Sequence, residues 1–356
     1  VSGPGLVLTI GSFTPISEEL MDPITQGAIG AIVATAVAPA KRVRLAAFVG
    51  WAGGMLADAD IFIRSASDPL LNIEYHRHFS HSLLFIPVGA LICAAFVWMF
   101  VRKRFSFREI YLYSFLGYST AGLLDACTSY GTQLLWPFSN ARIAWNIVSV
   151  VDPVFTVSIL GLIAFGFAKR QAKVSWIACG FALAYLLFGV AQNRQADGVL
   201  KTLAESRGHE AANRFTVKPS IGNLALWRGI YEFEGLYYVD AIRVNYIGSG
   251  TRIYPGGVVE KVDLGNLKQA LAVDSVLSKD LDRFHWFSDE YLAWHPERSK
   301  MIGDARYAVL PTSTIPLWAI EVNVDNENRH APFINLRKTN KDTIDQLWKM
   351  IRGKDL

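Results

Sequence analysis

The stretch EYHRHFSHSLLF, from Glu74 to Phe85, sets His76, His78 and His81 within six positions at the threshold of a long apolar run. Upstream, GGMLADADIF carries Asp58 and Asp60, and downstream GYSTAGLLDACTSYGTQLLWPF carries Asp125. Asp22 and Gln26 open an earlier apolar segment, and Asp152 in VVDPVF opens a later one. Imidazole nitrogen with carboxylate oxygen, and no thiolate, suits Zn²⁺ foremost, with Mn²⁺ or Fe²⁺ as alternatives, better than Ca²⁺ or a cysteine-rich structural zinc. Such an ion would supply Lewis acidity to a hydrolytic reaction, with Asp58 beside it. Arg77, next to His76, is suited to pair with a phosphate or carboxylate oxyanion.

Geometry restricts how these residues can meet. His76 and His81 are five apart, about 140° around a helix. They converge only if His76 lies in a loop and His81 at a helix start. Asp58 and Asp60 need a non-helical exit to point together. Each residue alone has an ordinary reading: a turn for either Asp, an interface position for His78, a helix start for Asp152 before Pro153. Three histidines with two nearby acids are harder to explain so, because ionisable groups beside apolar spans are rare unless they serve a site.

The elements that must position them are apolar. Of 356 residues 51% are hydrophobic and 19% charged, too apolar for an ordinary soluble chain. Up to Gln192 there are 13 Lys/Arg and 10 Asp/Glu; from Asn193 onward there are 22 and 21. Composition therefore divides the chain into a membrane region, 21–192, and a region of soluble composition, 193–356. Apolar stretches lie near Ile24–Pro39, Leu45–Leu56, Ser82–Val101, Ile110–Leu124, Ile147–Ala168 and Val174–Gln192. A run of about 20 apolar residues crosses a bilayer, so the expected fold is an α-helical domain of about six transmembrane or membrane-embedded helices followed by a soluble α+β domain.

Basic residues orient the segments. Lys41, Arg42 and Arg44 follow the first, Arg102, Lys103, Arg104 and Arg108 the third, and Lys169, Arg170 and Lys173 the fifth. Those loops are expected in the cytoplasm, and the 58–81 loop, the 126–146 loop and the soluble region outside. The acids and histidines then gather at one outer face. The rule used only Lys and Arg, so their convergence is a separate result, best explained by one metal centre of Asp58, Asp60, His76, His81 and Asp125, with Asp60, His76 and His81 the surest ligands. The net charge of +4 reflects the same topology; membrane lipids are the expected partners, and nucleic acid is not. Residues 1–20 hold no Lys or Arg and lack a secretory n-region; they are expected to be disordered or to precede the true start at Met21. Cys93, Cys127 and Cys179 have no paired spacing and read as buried thiols.

MDPITQGAIGA, AGGMLADADIF, HRHFSHSLLF and GYSTAGLLDACTSYGTQLLWPF together resemble the YdjM-like family of bacterial inner-membrane metal-dependent hydrolases. The resemblance implies that Asp58 and Asp60 form an Asp-x-Asp motif, that His76, Arg77 and His81 belong to a His-Arg-x-x-Thr-His motif, and that Asp125 is the acid of His-x-x-x-Asp. A more distant similarity to zinc-dependent phospholipases C and single-strand-specific nucleases implies phosphoester hydrolysis, by analogy. Gln26 and Ala121 stand where many members have His, and Ser80 where Thr is usual. His78 is an additional imidazole. Four-residue spacing puts Ala121 on the helix face of Asp125, so it is expected to face the site beside that acid.

Beyond Arg194, QADGVLKTLAESRGHEAA reads as a helix over 195–212, and Arg214 to about Val262 as strands with turn signals at Glu234–Gly235 and Pro255–Gly256–Gly257. Leu236, Tyr238, Ile242, Val244 and Tyr246 share a face that Asp240 interrupts. NKDTIDQLWKMIRG closes the chain as an amphipathic helix stopped by Gly353. His285 and His295 lack a partnering motif. A membrane metal-dependent hydrolase of a phosphoester or lipid-linked substrate is thus the leading expectation. A scaffold with a degenerate site is the alternative, and a transporter, which favours polar groups near mid-membrane, fits least.

Overall fold

The computed structural model describes residues 23–169 and 173–356. The expectations for residues 1–20 and for Asp22 lie outside the described residues. The N-terminal region is helical: α1 (Pro23–Ala36), α2 (Val43–Leu56), the short α3 (Leu71–Tyr75), α4 (Ile86–Val101), α5 (Phe107–Cys127), α6 (Pro153–Lys169) and α7 (Lys173–Ser206). Three helical stretches, Ala40–Phe62, Leu83–Val101 and α7, are long and apolar enough to cross a membrane; α1 and α6 are apolar but shorter. Ser106 and Glu109 cap α5 reciprocally, and Arg42 reaches Glu109 at 3.1 Å, fastening the basic loop before α2 to the start of α5. Residues 147–152, expected within the fifth apolar segment, are not helical. Ile147 and Val148 are buried with Cys127, and α6 begins only where Asp152 accepts from the Phe155 amide at 3.1 Å.

Helices α1, α2 and α5 touch backbone to backbone. A Cβ at Gly30 would strike the Gly50 carbonyl, and one at Gly117 would lie 2.8 Å from both Cα and C of Gly50. Only glycine permits this approach, as at small-residue contacts between membrane helices.

The composition changes near Gln192, but the backbone does not. Instead of a separate helix starting at 195, α7 runs on unbroken to Ser206. Ala196, Leu200 and Ala204, four apart on one face, are buried against Trp227, Tyr231, Ile242 and Val244. Gly208, at φ 77°, ends the run.

The C-terminal region holds two antiparallel four-stranded sheets. The first joins β1 (Asn213–Pro219), β2 (Leu226–Phe233), β3 (Leu236–Val244) and β4 (Thr251–Glu260) in that order. Glu234 and Gly235, at φ 50° and 74°, make the β2–β3 turn. Pro255–Gly256–Gly257 is not a turn, as the sequence suggested, but part of β4. The register slips opposite, between Tyr238 and Asp240, a bulge that turn residues also favour. Asp240 interrupts an apolar face because it is a buried partner for Arg207, at 2.6 and 2.8 Å.

Helices α8 (Leu264–Gln269) and α9 (Val276–Phe287) lead to β5 (Leu292–Trp294), β6 (Met301–Asp304), β7 (Trp318–Glu321) and β8 (Phe333–Asn335), and α10 (Lys341–Ile351) closes the chain. Leu277, Leu281 and Phe284 of α9 share a core with Ile302, Trp318 and Ile320. Leu70, just before α3, and Ile73 within it are buried in that same core. The C-terminal region therefore grips the helical region through apolar contact.

Candidate metal centre

Asp58 and Asp60 sit in a 3₁₀ turn, Ala57–Phe62, that continues α2, and this non-α exit lets both carboxylates aim inward. His76 ends α3 in an extended conformation and His81 closes a 3₁₀ turn, Phe79–His81, so the two rings approach at 6.4 Å between centroids. Asp125 comes from the last turn of α5, and Gln26 from the first turn of α1. A Cβ at Gly122 would strike the His81 carbonyl, so α5 passes directly against the histidine turn.

Three ligand-type groups converge. His81 Nε2 lies 3.1 Å from Asp58 Oδ1 and 3.0 Å from Asp125 Oδ2. One ligand atom from each of the three lies within 4.8 Å of the others, and all three residues are buried. Asp58 Oδ2 and His76 Nε2 are buried atoms without a hydrogen bond. A buried oxygen and an imidazole nitrogen left this way are costly unless another group binds them. The donor set of two carboxylates and imidazole fits Zn²⁺, Mn²⁺ or Fe²⁺.

Asp60, expected from the sequence as a metal ligand, lies instead behind the rings. Its Oδ1 is 2.8 Å from His76 Nδ1; its Oδ2 accepts from the Arg77 amide at 2.9 Å and Ser80 Oγ at 2.6 Å, and lies 3.1 Å from His81 Nδ1. Both its oxygens are thus engaged, the arrangement by which a carboxylate orients imidazoles and fixes their tautomers. Ser80, where the family pattern has Thr, keeps the hydroxyl this contact needs. Burial alone would lower the His81 pKa, but Asp125, Asp58 and Asp60 outweigh it and hold the imidazole well above its usual range.

Arg77 is fully buried, with Nε 3.2 Å from Asp125 Oδ2 and Nη1 donating to Thr128 at 3.0 Å. Its φ of 63° is unusual for a residue bearing a Cβ. The strain, about 1–3 kcal/mol, is outweighed by its countercharge to Asp125 and by its amide bond to Asp60. The Gln26 amide donates to Asp125 at 2.9 Å and reaches Asp58 at 3.4 Å, bridging the carboxylates where the pattern has His. A cavity of about 20 Å³ beside His76 and Arg77 is walled by Tyr130, Arg142, Phe287 and Trp318.

His78 and Asp152 are engaged elsewhere. His78 packs among Tyr75, Phe79 and Trp136, and burial lowers its pKa. Asp152 caps α6 and accepts from Tyr185 at 2.7 Å. Ala121 belongs to a buried apolar cluster with Ala57, Ala90 and Tyr118. Sequence reasoning missed Tyr118, whose hydroxyl donates to the Ser80 carbonyl at 2.7 Å, and Thr128, which anchors Arg77. Both look like ordinary helix and helix-end residues in the sequence.

Spanning-length apolar helices with this buried His–Asp cluster define a membrane protein carrying possible metal-ligand groups. Residues 21–196 match the family described as YdjM inner membrane protein. The chain is 23% identical over 190 residues to YfhP of Bacillus subtilis, an alignment covering 53% of this chain and 56% of that protein. It is 32% identical over 111 residues to the inner membrane protein YbcI of Escherichia coli, covering 29% of this chain and 61% of that one. The chain thus spans somewhat over half the length of these relatives. No solved structure matches it.

Proposed function

We propose that this protein is a metal-dependent hydrolase that cleaves a phosphoester or lipid-linked substrate at the outer face of the bacterial inner membrane. The observation that carries this reading is His81 Nε2 between Asp58 and Asp125, at 3.1 and 3.0 Å, beside a buried Asp58 Oδ2 and a buried His76 Nε2 that lack a hydrogen bond. Asp58, His81 and Asp125 would hold a divalent ion, zinc foremost or else manganese or iron, with His76 Nε2 as a further ligand. The bound ion supplies Lewis acidity to the reaction. Asp60 holds both imidazoles in place. Arg77 neutralises Asp125 and stands at the small cavity where a substrate oxyanion would arrive. Phe287 and Trp318 of the outer domain roof that cavity, which supports a lid role for this domain.

In this reading all six apolar helices are membrane-embedded, and the outer domain is extracytoplasmic because the basic residues cluster in alternate loops. Alkaline phosphatase fused after Gly208 is then active, and a silent fusion with a bright cytoplasmic reporter at the same point reverses the orientation. Gln26 favours one second reading. Its bridge between Asp125 and Asp58 is what a structural polar knot with a degenerate site would keep.

Element analysis of the purified full chain decides between them. The hydrolase reading expects on the order of one ion per chain, lost in His81→Ala and Asp125→Asn proteins that still insert in the membrane. Absence of metal after loading with zinc, manganese or iron refutes it.

A further inference from the structure

A second cavity, of about 480 Å³, lies between the outer loops of the helical region and the C-terminal domain. Lys218, Arg228, Arg306 and Arg337 line it, and no acid does among the described residues. Arg306 is paired with Asp304 at 2.7 Å. Lys218 and Arg228 are buried and ion-paired with no carboxylate among the described residues. Lys218 Nζ donates to the Ser129 carbonyl at 3.1 Å and to Asn146 Oδ1 at 2.9 Å, and lies 5.1 Å from the centre of the Tyr307 ring. Arg228 donates to the carbonyls of Pro311, Ser313 and Ala305 at 2.7–3.0 Å, while its Nε is buried with no partner. Neutral acceptors position these two cations without neutralising them. Burying a cation without an anion is costly. Desolvation accordingly pulls the Lys218 pKa down to about 7 and that of Arg228 to about 9.

The rim has the opposite chemistry. Val151, Ile221 and Ile344 line the cavity and are exposed. The Gly222 amide donates to the Val151 carbonyl at 3.0 Å, tying the β1–β2 loop to the residues just before Pro153, the first residue of the apolar helix α6. A cationic floor is therefore joined to an apolar rim beside the foot of an apolar helix.

We infer that this cavity binds an anionic membrane lipid, its phosphate on Lys218 and Arg228 and its acyl chains against Val151, Ile221 and Ile344. The phosphate would supply acceptors to the Arg228 Nε and to the Lys218 ammonium, whose third N–H is not used by Ser129 or Asn146. This site is distinct from the His–Asp cluster and does not depend on a metal there.

The test uses the full chain in nanodiscs or zwitterionic detergent, with phosphatidylglycerol, phosphatidylcholine of the same chains, and inorganic phosphate as probes read by native mass spectrometry. The wild type retains phosphatidylglycerol in preference to phosphatidylcholine, and Lys218→Met/Arg228→Met weakens that binding by at least about tenfold, as expected for lost charged hydrogen bonds. Ile221→Asp, at an exposed position that folding does not need, lowers phosphatidylglycerol binding and leaves any phosphate binding unchanged. Equal retention of both lipids, or undiminished phosphatidylglycerol binding in Ile221→Asp and the folded double variant, overturns the proposal. Phosphate that binds as tightly as phosphatidylglycerol overturns the lipid assignment.

Discussion

Replacing Gly117 by alanine adds one methyl group in the place where α5 crosses α2. That Cβ would sit 2.8 Å from both Cα and C of Gly50 and closer still to its oxygen, whereas real Cβ contacts essentially never fall below 3.0 Å. The obstacle is backbone, which no side-chain rotation relieves, so the helices must separate by roughly 1 Å, an overpacking that costs typically about 1–3 kcal/mol. Alanine regains about 0.5–1 kcal/mol through its better helix propensity, leaving a net loss on the order of 1–2 kcal/mol. The consequence for the site is larger. Asp58 follows the end of α2 and Asp125 ends α5, while ligand distances tolerate only about ±0.2 Å. Gly117→Ala is therefore expected to lower metal occupancy more sharply than it lowers thermal stability in detergent. Gly161→Ala and Gly180→Ala, where nothing lies within 4 Å, serve as controls: they should leave occupancy unchanged and, as helix-interior glycines, raise stability by about 0.5–1 kcal/mol. If Gly117→Ala keeps full occupancy and an unchanged melting temperature, the glycine crossing does not set the site.

Other perturbations separate the roles of neighbouring groups. Asp60→Asn keeps the side-chain shape but weakens the hold on His76 and His81, and should cost about 10–100-fold in metal affinity while membrane insertion persists; equal affinity in a competition assay with a zinc chelator would refute the orienting role. Lys218 is a base whose folded pKa is lowered to about 7, so between about pH 7 and its ordinary 10.5 the unfolded chain binds a proton that the folded chain does not. Stability of the lipid-free protein should thus rise with pH across that window, and phosphatidylglycerol binding should weaken over it; Arg306, Tyr307, Asp304 and Asp289 also act on this group, so the profile is compared with that of Lys218→Met, in which the slope should be reduced. Arg283 joins α9 to α3 and the loop before it through Glu74 at 2.7 Å and Asp68 at 3.0 Å. Because this contact is partly exposed, Arg283→Ala should cost no more than about 1 kcal/mol, yet hydrogen exchange over residues 68–75 should quicken; unchanged exchange would mean that Leu70 and Ile73 alone hold the domain.

Much of the site was legible because its residues break an apolar background. Asp58, His81 and Asp125 stand out by type and by their shared depth relative to the basic loops, and the need for non-helical exits at Asp58 and His76 followed from helix geometry. The part taken by Asp60 was not legible, since two acids at i and i+2 look alike until the 3₁₀ turn directs one to a hydrogen-bonded place behind the rings. Gly30, Gly50 and Gly117 escaped notice because a glycine in an apolar helix reads the same whether it faces lipid or backbone. The bulge at Pro255–Gly256–Gly257 uses the residues of a turn. The second sheet has strands of three or four residues, too short for an alternating pattern. A change of composition near Gln192 marks a change of surroundings, and a helix can cross that change without ending.

That last point has a mechanical consequence. At 34 residues α7 is about 51 Å long, with its first half among the apolar helices and its second half against the sheet of β1–β4. A rod shared by two bodies transmits rotation as a hinge of loose chain would not. Helices respond to bilayer thickness by tilting, and a tilt of α7 would swing the sheet with it and load the contacts that Leu70 and Ile73 make beside the His–Asp cluster. The C-terminal region is thus joined to the membrane-spanning helices by a lever as well as by a surface.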